Sequence, residues 1–156
     1  MFIKRDKILK DKTRRYLLID DDKEWISLTL TMKQRVNGEK LDKISSYNNF
    51  RYFMNRLNTL LYKNSFKRYG KRVEVIPFLE GLVGKRPHYH VLIKKPKNVN
   101  SLKFRMMICE LWKKTRFGYN DIKFNEKTDN GWVGYSTKEI TCNTDNVDWE
   151  SFYRVC

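Results

Sequence analysis

Histidine is almost absent from this chain: there are two in 156 residues, His88 and His90, one position apart. Any chemistry that needs an imidazole is therefore confined to that stretch. Cysteine is nearly as scarce. Cys109, Cys142 and Cys156 are odd in number and widely spaced, which speaks against a disulfide framework or a zinc motif and fits a reducing cytoplasm. No apolar run approaches the roughly 18 residues of a membrane-spanning helix. The stretch Met1–Arg15 is basic but has no apolar centre, so it does not read as a signal peptide. Acidic residues are the minority charge, 18 Asp+Glu against 33 Lys+Arg, giving a formal net charge of +15. That excess points to a polyanionic partner, nucleic acid first. What is plentiful is core material, with 40% hydrophobic and 14% aromatic residues, and the length fits a single domain, residues 1–156.

Along the chain, residues 1–15 read as a loose basic arm, and Asp20-Asp21-Asp22-Lys23-Glu24 as an acidic turn. Trp25–Thr31 alternates, with Ile26, Leu28 and Leu30 on one side and Trp25, Ser27, Thr29 and Thr31 on the other, which predicts a half-buried strand. A polar loop passes through Asn37-Gly38. Ser45, Ser46 or Asn48 can cap a helix whose apolar stripe is Phe50, Phe53, Met54, Leu57, Leu60 and Leu61, stopped by Gly70. A strand pair follows, with its turn around Gly81 and Gly84. Leu102–Arg116 reads as a second helix with Leu102, Met106, Cys109, Leu111 and Trp112 inward. Tyr119–Phe124 reads as a short strand, Thr128–Gly131 as a turn and Trp132–Ile140 as a third helix. Residues 141–156 form an acidic tail without a clear pattern. These elements predict an α+β fold in which helices cover one face of a largely antiparallel sheet, while Thr29, Thr31, His88 and His90 lie on an open face.

Side chains two apart on a strand share a face, so His88 and His90 stand side by side, with Tyr89 and Val91 turned away. If the hairpin is centred on Gly84, Glu80 lies opposite His88, and cross-strand partners share a face. Glu80, His88 and His90 then converge. Two imidazoles and a carboxylate suit a divalent metal with positions left open for substrate. Pro77, upstream in the same strand, suits an edge better than a central strand.

Metal and basic charge suggest phosphodiester chemistry and call for a nucleophile. Gly134-Tyr135-Ser136-Thr137-Lys138-Glu139 supplies a candidate, since Tyr135 and Lys138 share a helix face at i and i+3. A nearby ammonium and a metal favour the phenolate.

The ordered set of Trp25–Thr31, Glu80, His88-Tyr89-His90 and Tyr135-x-x-Lys138 resembles the His-hydrophobe-His (HUH) endonucleases, in particular the rolling-circle replication initiators (Rep proteins) of phages, viruses and plasmids. The resemblance spans about residues 25–140. It implies a five-stranded antiparallel sheet with flanking helices (a ferredoxin-like, RRM-like arrangement). The fifth strand is then to be sought within Phe2–Ile19. It implies that Ser27–Thr31 contacts DNA, that Glu80, His88 and His90 hold Mn²⁺ or Mg²⁺, and that Tyr135 attacks the phosphate with Lys138 beside it. Glu139 is a rival to Glu80 as acidic ligand. Lys33, Arg35, Lys85 and Arg86 flank the site in sequence and, with Thr29 and Thr31, are the expected DNA contacts. No helicase signature Gly-x4-Gly-Lys-Ser/Thr is present. The implied activity is sequence-specific nicking and joining of single-stranded origin or hairpin DNA through a 5′-phosphotyrosine, with a host helicase or polymerase as further partners. Two alternatives stay open: a dimeric single-tyrosine HUH transposase, and a basic protein that binds single strands without cutting them.

Overall fold

The computed structural model describes residues 2–17, 24–125 and 145–155. The described elements are, in order, α1 (Phe2–Tyr16), β1 (Trp25–Met32), β2 (Arg35–Val36), β3 (Glu39–Lys40), α2 (Lys43–Tyr62), α3 (Asn64–Tyr69), β4 (Val75–Glu80), β5 (His88–Lys94), α4 (Ser101–Lys113) and β6 (Gly118–Asn125). The fold is α+β, built on a four-stranded antiparallel sheet in the order β4-β5-β1-β6. Four strands replace the five expected, because the stretch searched for the fifth is helical over Phe2–Tyr16. That segment has no proline, no glycine and no period-two alternation, so nothing in it favours a strand over a helix. The loose arm expected over residues 1–15 is thus largely a helix.

One sheet face carries Ile26, Leu28, Leu30, Met32, Tyr89, Val91 and Ile93, packed against Phe50, Phe53, Met54 and Leu57 of α2 and Phe104, Ile108 and Trp112 of α4. The α2 stripe follows its predicted period, except that Leu60 is exposed. Its cap is Asp42, not Ser45, Ser46 or Asn48: Asp42 Oδ1 accepts from the Ser45 backbone N–H while the Ser45 hydroxyl accepts from the Asp42 N–H, a reciprocal capping box. The helix does not run on to Gly70, because Lys63 at φ 49° separates α2 from α3. On α4 the buried row is Phe104-Ile108-Trp112, and Leu102 and Met106 are exposed. Trp112 sets this phase: it is fully buried and its indole N–H donates to the Thr31 carbonyl at 3.0 Å.

The second face is not open throughout, contrary to expectation. Leu17, Trp25, Ile76, Phe78, Leu92 and Val147 form a second buried cluster there. Trp25, Ile76, Phe78 and Leu92 are large apolar groups on that face, and burial is the favourable state for them. The acidic tail supplies part of the cover: Val147 and Tyr153 make isolated bridges to Phe78 and Val75 on the outer edge of β4. Pro77 fits this edge. Val75 and Leu79 turn their N–H groups outward to the tail, to the carbonyls of Tyr153 and Asn146, so the N–H that Pro77 lacks falls on the outer side and costs no bond to β5. The turn Thr128–Gly131 and the third helix Trp132–Ile140 lie outside the described residues. No helix among the described residues is long and apolar enough to cross a membrane.

Candidate metal centre and nucleic-acid interface

The β4–β5 register is the one expected, with Glu80 paired to His88 and Phe78 to His90. On the other side β1 pairs Thr31 with His88 and Thr29 with His90. The three candidate ligands therefore meet on the face away from α2 and α4. His88 Nε2 and His90 Nε2 are 3.1 Å apart, and Glu80 Oε2 lies 3.4 Å from the first and 3.2 Å from the second. Their side chains are 21%, 12% and 13% exposed, sheltered yet within reach of a small ion. Among the described residues this is the one group of His, Cys, Asp and Glu able to hold a metal.

The surroundings fit that use. A carbonyl can only accept, so the contact of 2.9 Å between His88 Nδ1 and the Arg86 carbonyl oxygen places the ring proton on Nδ1 of the neutral imidazole. Nε2 is then the basic nitrogen. Thr29 Oγ1 holds His90 by Nδ1 at 3.2 Å and leaves its Nε2 turned to the site. Such outer contacts orient metal-binding imidazoles. Donor separations of 3.1–3.4 Å are those expected between adjacent ligands with bonds of about 2.1 Å. Two imidazoles and one carboxylate suit Mn²⁺, Fe²⁺ or Zn²⁺ better than Mg²⁺ in affinity. Burial pushes the Glu80 carboxyl up, but hydrogen bonds from His88 and His90 outweigh it and bring its pKa to about 2. The bond to Glu80 raises the His88 pKa against the opposing effect of burial. The group is thus an anion facing bases, a natural cation site.

Gly81 makes the geometry possible. It follows Glu80 at φ +81°, and a Cβ there would collide with the Arg86 carbonyl that holds His88. Only glycine combines that backbone angle with that closeness.

The predicted DNA contacts divide. Thr29 touches His90, and Thr31 is buried beside His88 on β1. Lys33 is exposed and its N–H is bonded to Phe117 O. Arg35, Lys85 and Arg86 share a cleft of about 680 Å³ between the β2–β3 hairpin and the β4–β5 turn, joined by Lys40, which the sequence did not single out. The Arg86 guanidinium lies 4.6 Å from the ring centre of Tyr119, itself 38% exposed. This Arg–Tyr pair adjoins the histidines through the Arg86 carbonyl. The sequence marks Tyr119 only as part of an alternating strand. Tyr135, Lys138 and Glu139 lie outside the described residues.

Fold and site together define a replication-protein nuclease scaffold: an antiparallel sheet displaying a His-hydrophobe-His pair with an upstream acid. The chain belongs to the replication-associated protein ORF2 family, whose model matches residues 25–144, consistent with the rolling-circle initiators. No curated protein and no solved structure matches it.

Proposed function

We propose that this chain is a single-domain, cytoplasmic, metal-dependent endonuclease that nicks and rejoins single-stranded DNA at a replication origin or hairpin. The observation that carries the reading is the convergence of His88 Nε2, His90 Nε2 and Glu80 Oε2 in a member of a replication-associated family. A bound Mn²⁺ or Mg²⁺ would polarise the scissile phosphate and offset its developing charge. His88, His90 and Glu80 hold the ion, while Thr29 and the Arg86 carbonyl keep the imidazoles aimed. The basic cleft draws in the sugar-phosphate backbone. Arg86 on Tyr119 offers a stacking surface for an unpaired base.

The nucleophile in this reading is Tyr135. Its phenolic oxygen bonds to phosphorus, the bond from phosphorus to the 3′-oxygen breaks, and the phenolic proton passes to solvent. The departing 3′-oxygen takes up a proton and leaves as a hydroxyl. Lys138 stabilises the phenolate. The phosphotyrosine keeps the phosphodiester energy, so attack by a 3′-hydroxyl reverses the step and joins strands.

Incubation of the full chain with Mn²⁺ and single-stranded DNA from its replicon should give a protein–DNA adduct that survives denaturing electrophoresis. Tyr135→Phe should abolish the adduct while leaving metal binding and fold intact. An undiminished adduct in Tyr135→Phe would remove Tyr135 from its role. DNA binding with no adduct and no cleavage under any divalent ion would leave a binding protein instead.

A further inference from the structure

We propose that the C-terminal segment 145–153 is a working part of the metal centre, with Asn146 as a positioning residue for the Glu80 carboxylate. The inference rests on the metal-site reading of Glu80, His88 and His90. The segment lies beyond the family match, which ends at residue 144, and nothing in its sequence marks it as functional. Its contacts do.

The segment grips both strands that carry the ligands. On β4, the Leu79 N–H donates to Asn146 O at 2.8 Å, the Asp148 N–H to Pro77 O at 2.9 Å, and Val75 and Tyr153 exchange bonds of 2.8 and 3.0 Å. On β5, the Tyr89 hydroxyl donates to Asp148 Oδ2 at 2.9 Å, with both residues fully buried. Tyr89 is the residue between the two histidines. The tail is thus tied to the backbone one residue before Glu80 and to the side chain between His88 and His90.

From that anchored position Asn146 reaches the ligand itself. Its Nδ2 lies 3.4 Å from Glu80 Oε1, while Oε2 of the same carboxylate faces the histidines. The two oxygens are therefore divided between tail and metal site. Glu80 is the last residue of β4, with a glycine after it, so the strand alone does little to fix a side chain with three rotatable bonds. A neutral amide suits the task. It fixes the carboxylate through Oε1 and leaves its charge for a cation at Oε2, whereas a lysine there would compete with the metal. Outer contacts of this kind are worth about 10–100-fold in metal affinity.

The test is a Mn²⁺ titration of the full chain, read by electron paramagnetic resonance of free Mn²⁺, beside thermal melts in EDTA. N146L removes the amide at nearly constant volume. The expected result is a Mn²⁺ Kd at least about ten-fold weaker with the EDTA melting temperature unchanged. Should N146L fail to fold, N146S removes the amide with a smaller side chain. A wild-type Kd in the variant, whether or not the melting temperature falls, overturns the positioning role and leaves the metal centre standing. Absence of Mn²⁺ binding in the wild-type chain overturns the metal reading and this inference with it.

Discussion

Arg86 serves His88 with its backbone and Tyr119 with its side chain. Its carbonyl oxygen lies 2.9 Å from His88 Nδ1, while its guanidinium stands 4.6 Å from the Tyr119 ring centre. One turn residue thus links the orientation of a metal ligand to an exposed aromatic surface. Gly81, packed against the same carbonyl, controls where that turn sits.

Gly81→Ala is therefore expected to damage the site more than the fold. The new methyl meets the Arg86 carbonyl at a backbone angle that costs an L-residue about 1–2 kcal/mol, and His88 loses its outer contact. Mn²⁺ affinity should fall about ten-fold or more, measured by titration. Gly84→Ala, also at positive φ but with open space around its Cβ position, should leave affinity within about two-fold of wild type.

Metal-free protein should show a pH signature of Glu80 and His88. The Glu80 pKa is lowered from 4.5 to about 2, so its contribution to stability is full above 4.5 and is lost as pH falls towards 2. The His88 pKa is raised above 6.5, so its contribution is full below 6.5 and is lost as pH rises through the raised value. Melts in EDTA should place the pair's greatest stabilisation between about pH 4.5 and 6.5. Mn²⁺ must displace the His88 proton, so its affinity should rise with pH across the window where that proton leaves.

Tyr89→Phe should destabilise the chain by about 1–3 kcal/mol, because it leaves the buried Asp148 carboxyl without its donor. Burial raises the Asp148 pKa. The penalty should therefore shrink as acid protonates that group, which denaturant unfolding at two pH values measures.

Replacing Arg35, Lys40, Lys85 and Arg86 by glutamine should weaken single-strand binding at low salt for all sequences about equally. If each contacts one phosphate, the slope of log K against log salt should flatten by about 0.7 per residue. Tyr119→Ala should weaken binding by about 1–3 kcal/mol with little change in that slope, since stacking carries no counterion release. An unchanged slope in the fourfold variant would place the nucleic acid elsewhere.

The strand carrying the histidines was legible because its information is local: alternation, a glycine-rich turn and a counted register brought Glu80 opposite His88. The faces of β1 and the α2 stripe were legible for the same reason. The phase of α4 was not, because two apolar rows run along that helix and only the reach of Trp112 to the Thr31 carbonyl chooses between them. Nor was the packing of the second sheet face or of residues 145–153. Their order comes from contacts between parts of the chain more than sixty positions apart, such as Asn146 with Glu80 and Val147 with Phe78, and no period records such contacts. A basic N-terminal stretch likewise gives no sign of where its last turn, at Leu17, is buried.

The outward-facing Pro77 has a consequence for the life of the protein at high concentration. An edge strand with free amides is a template on which a second molecule can add its own strand. Along the outer side of β4 the tail takes the N–H groups of Val75 and Leu79, and Pro77 has none to offer between them. Even a copy whose tail has been clipped by a protease would present an interrupted row of donors. The edge that helps to build the metal site is thereby a poor seed for fibrils.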